Sequence, residues 1–588
     1  MSQAGGYALP ERRPLQIFAF DPMLGRTAGN RVVVSVANEP LLPGPQGARV
    51  QVVDYDATQR VFYQPVDLDD PAVLMNQGLD PSESNPLFHQ QMVYAVTMKV
   101  VENFEQALGR RLTFKQRKRL RLLPHGFEGR NAFYDPGEVA ILFGYFRADR
   151  KDPGRNLPGQ TVFTCLSHDI VAHEVTHAMV DRLRRLFTED SNPDVSAFHE
   201  AFSDIVAIFQ HFGFPAILAD TIQRTRGDLR SPNVLGELAQ QFGYATGSGE
   251  ALRSAIDPDG KPDPRLYDRV LEPHERGSIL VAAVFDAFNN VYQARIKDLV
   301  RIATGGTGRL PEGDLHPDLV NRIAGEASKT ARTILKMCIR AFDYLPPVDV
   351  TFGDYLRALV TADRDAVPDD AKGIRAEMIE AFRRRGIQLG GVSSLAEEAL
   401  VWPDREPDGL KLWFEPFTQA LAVSAQAFDR GPRRRTRVAA PAEARAAVGQ
   451  WAGLLNEYAK QHSGELGLDP RYSPPRLQGF HTVFRVSPDG QLVVELVAQF
   501  AQEDKSVRQD PAYGGVALLG GTTIIATAEG KIRYVISKPI DDERRKRLAE
   551  FVSQCDDQDA MLAWGGDSYR AQRMKLRSIA RLHRRIAR

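Results

Sequence analysis

Residues 169–183, DIVAHEVTHAMVDRL, place His173 and His177 four positions apart, with Glu174 directly after the first histidine. Apolar residues recur among them at helical spacing, so the pattern predicts a helix over 166–187. A helix brings residues i and i+4 onto one face, about 5–6 Å apart. Two imidazoles at that distance can bind one Zn²⁺ at about 2.0–2.1 Å per bond, and Glu174 then reaches a metal-bound water without being a ligand. Taken alone, the spacing also fits a helix whose histidines only pack or cap.

A second helix, predicted over 195–212, offers the carboxylates that such a site needs. In SAFHEAFSDIVAIF, residues 196–209, Glu200 and Asp204 are four positions apart and share one face. A zinc site that keeps one position for water needs a third protein ligand, and Glu200 would complete a His₂Glu set. Asp204 would then accept the second N–H of a ligand imidazole. The alternative is a solvated helix face, which the HExxH pattern upstream disfavours.

Composition bounds the class of chain in which these helices lie. The 588 residues predict about two to four domains. Lys plus Arg and Asp plus Glu are 75 each, which argues against a whole-chain polyanion binder, and 43% apolar residues exclude global disorder. Three widely spaced cysteines, Cys165, Cys338 and Cys555, form no CxxC pair, so neither a disulfide framework nor a thiolate zinc site is expected. Cys165 lies in an apolar stretch and is expected to be a core residue.

The N-terminal residues MSQAGGYALPERRPLQ lack a basic segment followed by an apolar stretch. No uninterrupted apolar run approaches about 18 residues. These patterns predict a chain without a secretory signal or an integral membrane segment, and hence a cytoplasmic location. Export by a route without an N-terminal signature is the alternative.

Four parts follow one another along the chain. Residues 1–84 are predicted to be β-rich, because β-branched and aromatic runs alternate there with turn residues. Residues 85–390 are predicted to be mainly helical. A linker with a basic cluster is expected at 391–437, and a separate small α+β domain at 438–588.

Local patterns place particular elements within these parts. A helix is predicted to begin near Pro86, and hairpins are predicted at 131–146, 481–500 and 522–536. A basic helix is predicted at 568–588. This helix could bind nucleic acid or another acidic partner, but a solvated amphipathic face is favoured, because no aromatic residues interleave with its charges.

Over residues 85–390 the sequence resembles the thermolysin-like gluzincin metallopeptidases. DIVAHEVTHAMVD is similar to the family's zinc helix, and EAFSD is similar to its third-ligand helix. The resemblance implies that His173, His177 and Glu200 are the zinc ligands. It also implies that Glu174 is the general base and that Asp204 is the partner of a ligand histidine.

Three further segments extend the resemblance. NAFYDPGEVAILFGYF is similar to the family's substrate-lining edge strand, which implies that the Asn131 side chain and the Ala132 backbone hold an extended peptide. ALRSAIDPDGKPDP implies that Arg253 grips the substrate carbonyl, and EPHERGSILVAAVFDAF implies that His274 stabilises the oxyanion. His316 fits no such segment and is expected at the surface.

Two departures from the family pattern stand out. The family usually has a tyrosine soon after the zinc helix, whereas no tyrosine lies between His177 and Glu200 and Phe187 is the nearest aromatic residue. Loss of one oxyanion donor typically lowers the rate about 10²–10³-fold. Asp169 matches a calcium-ligand position, but His211 stands where a further acid is expected, which argues against Ca²⁺.

The sequence therefore predicts an α+β protein. A β-rich N-terminal segment precedes a two-lobed thermolysin-like unit, with a β-containing lobe and a helical lobe, and a separate C-terminal domain follows. The predicted function is that of a zinc metalloendopeptidase with one catalytic Zn²⁺ and a peptide or protein substrate. A gluzincin aminopeptidase is the near alternative, although no GxMEN-type motif is present. The other alternative is a catalytically weak metallopeptidase fold whose C-terminal part binds a partner.

Overall fold

The computed structural model describes most of the chain. The described residues are 10–24, 29–114, 118–151, 153, 156–231, 235–238, 253–254, 262–404, 442–486, 490–528, 530–554, 562–564 and 569–571. Within them the fold is α+β, as the sequence predicts.

The α-helices lie mainly in the middle of the chain. They are α1 Pro71–Met75, α2 Pro86–Leu108, α3 His168–Leu183, α4 Pro193–His211, α5 Pro215–Thr225, α6 Leu266–Arg269, α7 Pro273–Ala303, α8 Pro317–Arg340, α9 Phe352–Ala366, α10 Ile374–Arg384, α11 Glu397–Leu400, α12 Ala442–Gln461, α13 Lys505–Gln509 and α14 Asp542–Gln554. Short 3₁₀ turns at Thr164–Leu166 and Ala341–Tyr344 connect some of them.

The strands form two larger sheets and several two-stranded pairs. They are β1 Arg12–Phe18, β2 Arg31–Ala37, β3 Val50–Val52, β4 Tyr55–Asp56, β5 Val61–Phe62, β6 Leu120–Glu128, β7 Ala132–Asp135, β8 Ala140–Arg147, β9 Thr161–Phe163, β10 Glu237–Leu238, β11 Arg253–Ser254, β12 Arg476–Val486, β13 Leu492–Asp504, β14 Leu518–Thr527, β15 Ile532–Lys538, β16 Leu562–Trp564 and β17 Tyr569–Ala571.

The first larger sheet is mixed and has the order β3-β6-β8-β7, with β9 also paired to β8. Strands β3, β6 and β8 run parallel, whereas β7 and β9 are antiparallel to β8. The β7–β8 hairpin is the one predicted at 131–146. Strand β7 is the last in this order among the described strands.

Two capped helices build the centre of the molecule. Helix α3 begins after Ser167, whose hydroxyl accepts a hydrogen bond from the backbone of Ile170. Helix α4 begins after Asn192, which caps it, and has Pro193 at its first position. Every residue of α4 from Asp194 onward is buried. These two helices therefore lie inside the core rather than on its surface.

The second larger sheet is the antiparallel meander β12-β13-β14-β15, which contains the two predicted C-terminal hairpins. Four of its apolar residues belong to the same buried cluster as the helical core: Val497, Ile525, Tyr534 and Ile536. Polar contacts join the sheet and α14 to the segment 341–366. They include the hydrogen bond from the Thr523 hydroxyl to the Leu345 carbonyl at 2.7 Å, and the ion pairs Arg533–Asp365 at 2.8 Å and Arg544–Asp349 at 2.7 Å. The C-terminal sheet thus packs directly on the helical part of the chain.

Other predicted elements have mixed outcomes. The helix predicted near Pro86 is α2, and the helices predicted over 166–187 and 195–212 are α3 and α4 with slightly different ends. The predicted basic helix begins instead with strand β17, and its remaining residues lie outside the described part of the chain. The basic cluster of the predicted linker also lies outside it.

In the described part of the chain, no single helix is long and apolar enough to cross a membrane. Helices α4 and α5 together reach the required length and apolarity, but a bend of 89° separates them.

A buried ion pair ties the end of α2 to the 3₁₀ turn Ala341–Tyr344, next to the C-terminal sheet. The guanidinium of Arg110 binds Asp343, with Nη2 2.8 Å from Oδ1, and His481 of β12 lies 3.2 Å from the same oxygen. Burial raises the pKa of Asp343, but the charge of Arg110 and the contact with His481 outweigh it, so this pKa lies well below its ordinary value. The pair therefore stabilises the fold only while Asp343 is ionised.

We expect Asp343→Asn to lower the free energy of unfolding at pH 7 by about 3–5 kcal/mol, because Arg110 would be left buried without its counter-charge. The difference from the unmodified protein should remain full above about pH 4, the ordinary aspartate pKa, and shrink below it, since unfolded Asp343 then takes up a proton. Urea unfolding between pH 3 and pH 7 measures this. Asp314→Asn, at an exposed aspartate, is the control, and equal losses in the two variants would contradict the assignment.

Candidate metal centre

Helices α3 and α4 bring three donor side chains together in the core. His173 and His177 are separated by one helical turn, and their Nε2 atoms are 3.0 Å apart. From α4, Glu200 approaches both imidazoles: Oε2 is 3.4 Å from Nε2 of His173, and Oε1 is 3.6 Å from Nε2 of His177. All three residues are at most 4% exposed.

These separations fit a metal ion. Donors that share a tetrahedral zinc at about 2.0–2.1 Å per bond must lie about 3.3–3.4 Å from one another. The three measured separations bracket that value. Two imidazoles and one carboxylate are also a donor set that Zn²⁺ takes in catalytic sites. His173, His177 and Glu200 are therefore the residues that could hold the ion.

Asp204 orients one of the two histidines. Its Oδ1 lies 2.7 Å from Nδ1 of His173. A carboxylate accepts there, so Nδ1 carries the hydrogen and Nε2 presents its lone pair toward Glu200 and His177. On His177, the hydroxyl of Ser203 lies 3.4 Å from Nδ1. The structure thus brings together the four residues expected to form the site and its support.

Glu174 is held by the backbone of the edge strand. The Tyr134 N–H of β7 donates to Oε2 of Glu174 at 2.9 Å. This contact joins the Glu174 carboxylate of α3 to β7, the strand expected to line the substrate. The sequence could not indicate it, because a backbone amide has no residue signature.

His274 also reaches the site, from the first turn of α7. Its Nε2 is 3.2 Å from Oε2 of Glu200, and its Nδ1 is 2.8 Å from Oε1 of Glu272. Burial raises the pKa of Glu272, but the hydrogen bond from His274 and nearby backbone donors outweigh it, so the pKa falls below its ordinary value. The ionised Glu272 therefore fixes the hydrogen on Nδ1 of His274.

A glycine that sequence reasoning missed allows α7 to approach α4. A Cβ on Gly277 would lie 3.0 Å from the Ala197 carbonyl oxygen and 3.2 Å from the Ala201 nitrogen. Those distances are tighter than ordinary contacts, so a side chain here would push the helices apart. Gly277 thus permits the close packing that carries His274 to Glu200.

His199 is another buried residue that the motifs did not indicate. Its ring stacks near the ring of His177, with centroids 5.8 Å apart and planes 26° apart. Burial lowers the pKa of His199 to about 4. A neutral imidazole therefore lies against a candidate ligand, where a second positive charge would oppose a cation. In the sequence, only the position of His199 directly before Glu200 indicates that it lies near the site.

The substrate residues have three different outcomes. Ala132 pairs with Phe143 in the outermost strand of its sheet. Asn131, directly before it, accepts the Ala132 N–H with Oδ1 at 2.9 Å, and its buried Nδ2 has no hydrogen-bond partner among the described residues. Arg253 pairs with Leu238 through the backbone, and its side chain lies outside the described part of the structure. His316 is exposed, as expected.

The two family departures have a structural counterpart. Phe187, the aromatic residue between His177 and Glu200 nearest to the expected tyrosine, is fully buried and packs edge-to-face on Phe198, 5.9 Å between centroids. Asp169 contacts Nε2 of His211, and Nδ1 of His168 lies 3.7 Å from the same carboxylate. One carboxylate with two imidazoles is unlike the six to eight oxygen ligands that Ca²⁺ takes.

A scan against models of known protein families finds no match for this chain, and no curated protein matches it. The case for a function therefore rests on the geometry and chemistry of the residues themselves.

We expect Asp204→Asn to weaken zinc binding about 10–100-fold, because an amide cannot draw the Nδ1 hydrogen of His173 as a carboxylate does. Competition with a chelator on purified protein measures the dissociation constant. Asp298→Asn, at an exposed aspartate of α7, is the control. An unchanged affinity in the Asp204 variant would show that Asp204 does not support a metal ligand.

Proposed function

We propose that this protein is a zinc-dependent metalloendopeptidase of the thermolysin-like gluzincin type. The observation that carries the proposal is the convergence of His173, His177 and Glu200 at metal-binding separations. Glu174 lies one residue from the first ligand on the same helix, where a general base is needed. A packing cluster would have no chemical need for an ionisable acid at that point.

His173, His177 and Glu200 would hold the ion, and Zn²⁺ bound there would supply a Lewis acid that acidifies water and polarises a peptide carbonyl. The Glu174 carboxylate would take the proton of the attacking water and deliver it to the leaving amine. Because the Tyr134 N–H holds Oε2 of Glu174, we assign proton transfer to Oε1. The same contact keeps the base aligned with the peptide-binding strand.

The position of β7 at the end of its sheet order supports a peptide as substrate. An extended chain could add there by exchanging main-chain hydrogen bonds for the contact between the Ala132 N–H and Asn131, and such bonds depend little on side-chain identity. The Nδ2 group of Asn131 offers a further donor for a substrate carbonyl. Binding through the backbone along a strand suits cleavage within a chain and does not require a free terminus.

The hydrogen-bond donor to the carbonyl oxygen of the scissile peptide bond would be His274. Its Nε2 faces the ligand carboxylate of Glu200, and Glu272 holds the opposite nitrogen. Charge that develops on the former carbonyl oxygen would be stabilised by the Nε2–H of this ring, which requires a doubly protonated His274 because Glu272 already takes the Nδ1–H. With Phe187 lacking a hydroxyl, His274 would carry more of this stabilisation than in a site with a tyrosine.

Glu174→Gln tests the whole proposal. We expect it to reduce cleavage of casein or a quenched peptide by about 10²–10⁴-fold, because an amide cannot accept the proton. Bound zinc should remain at the level of the unmodified protein, since Glu174 is not a ligand. Glu398→Gln, at an exposed glutamate, is the control. Cleavage indifferent to the Glu174 change, or a protein without zinc, would overturn the assignment.

His274→Ala tests the oxyanion role separately. We expect kcat to fall about 10²–10³-fold with little change in KM, because the interaction forms only as charge develops. His316→Ala, at an exposed histidine, is the control. A rise in KM with unchanged kcat would instead assign His274 to substrate binding.

One observation favours a second candidate, a metallopeptidase fold with weak or no catalysis that binds a partner. No tyrosine lies between His177 and Glu200, where the resemblance leads one to expect one. Zinc binding without cleavage of any tested peptide, N-acetylated or with a free amine, would support this candidate. Cleavage restricted to free-amine peptides would instead indicate an aminopeptidase.

A further inference from the structure

A second cluster of metal-binding side chains lies outside the site described above. It consists of His89 in the first turn of α2, His125 in β6, and Cys165 in the 3₁₀ turn directly before α3. All three are at most 1% exposed, and one donor atom from each lies within 4.8 Å of the others. Three separate elements of the core meet at this point.

The outer nitrogens of both imidazoles face groups that can only accept. Nε2 of His89 lies 3.1 Å from the Glu83 carbonyl oxygen, and Nδ1 of His125 lies 2.7 Å from Oδ1 of Asp54. Both of these nitrogens must therefore carry a hydrogen. A further hydrogen bond, from Nε2 of Gln90 to Oδ2 of Asp54 at 2.9 Å, holds the carboxylate in place.

This assignment leaves two lone pairs facing each other. In neutral imidazoles, Nδ1 of His89 and Nε2 of His125 are then both acceptors, yet they are only 2.8 Å apart. Such a pair is repulsive unless a positive charge lies between the two atoms. Either a shared proton or a metal ion meets that condition.

The third donor favours a metal ion over a shared proton. A proton would bridge only the two nitrogens, whereas the Cys165 sulfur is buried with them and lies within 4.8 Å of both. A bound transition metal deprotonates such a thiol, and the thiolate would offset part of the charge of the ion.

We propose that His89, His125 and Cys165 are the three protein ligands of a second Zn²⁺, independent of the peptidase site, with one water molecule as the fourth ligand. Two imidazoles and a thiolate are donors that Zn²⁺ takes readily. The Asp54–His125 contact is the carboxylate–histidine arrangement that commonly supports a zinc ligand, and the Glu83 carbonyl plays that part for His89. The ion would fasten α2 and β6 to the turn from which α3 begins.

Aromatic rings pack against both imidazoles of the cluster. The ring of Tyr63 lies 4.5 Å from that of His125, and the ring of Phe163 lies 4.7 Å from that of His89, between centroids. The burial of all three donor residues would slow exchange of a bound ion and strengthen its electrostatic attraction to the thiolate. This setting is that of a retained ion rather than of one that meets substrate.

Metal content of the full-length protein tests the proposal. After equilibration with Zn²⁺ and removal of excess, a His173→Ala/His177→Ala variant should still hold one equivalent of zinc, and Cys165→Ser introduced into that background should lose it. Cys338→Ser in the same background is the matched control, because Cys338 is also a buried thiol. Retention of zinc after the Cys165 change, or no zinc in the double histidine variant, overturns the proposal.

A spectroscopic signature separates the two sites without a change at any proposed ligand. The candidate peptidase ligands contain no sulfur, so thiolate-to-metal charge transfer in the Co²⁺-loaded protein would come only from a cysteine. The band should persist in a Cys338→Ser/Cys555→Ser variant, in which Cys165 is the one cysteine left. X-ray absorption at the zinc edge should show sulfur at about 2.3 Å. Absence of both signals in the unmodified protein would overturn the proposal and mean that a shared proton, not a metal ion, lies between Nδ1 of His89 and Nε2 of His125.

Discussion

The contact between α3 and α4 is the constraint on which the candidate site depends. The short bond between Nδ1 of His173 and Asp204 fixes the rotation of one helix against the other, and it sets which nitrogen of His173 faces inward. One helical turn away, Glu200 meets both imidazoles. Because α4 is buried along nearly its whole length, this register cannot slip without repacking the core. Close-packed interiors resist such shifts, so the donor separations are a property of the fold rather than of mobile side chains.

The two-helix unit also organises the elements around it. Strand β7 reaches the site through one backbone amide, from Tyr134 to Glu174, and α7 reaches it because Gly277 has no side chain. Neither contact uses a residue type associated with catalysis. Each contact nevertheless positions a side chain at the site: the Tyr134 amide holds Glu174, and Gly277 lets α7 bring His274 close.

The sequence predicted those parts of the site that are local in the chain. His173 and His177 share a face because one helix carries both, so their spacing alone was informative. Glu200, on a separate helix, was predicted from the need for a third zinc ligand and from its spacing with Asp204, whereas His274 came from a family resemblance. The structure brings Glu200 to the two histidines and His274 to Glu200. The cluster of His89, His125 and Cys165 had no such signal, because its members are distant in sequence and meet only through tertiary packing. A helix was predicted where the strand Tyr569–Ala571 lies, because the local pattern is helical. Pairing of this strand with Leu562–Trp564 overrides that pattern.

The packing of the C-terminal sheet on segment 341–366 has a consequence for how this polypeptide can be divided. Asp349 and Asp365 lie buried or nearly so against arginines contributed from beyond residue 500, and the Leu345 carbonyl is satisfied by a threonine of the sheet. A chain severed between residues 404 and 442 would remain one particle, with two fragments held by apolar surface and opposite charges. Either fragment alone would expose apolar surface together with carboxylates or guanidinium groups that are paired in the intact chain. We therefore expect each half to be less stable alone than in the intact chain.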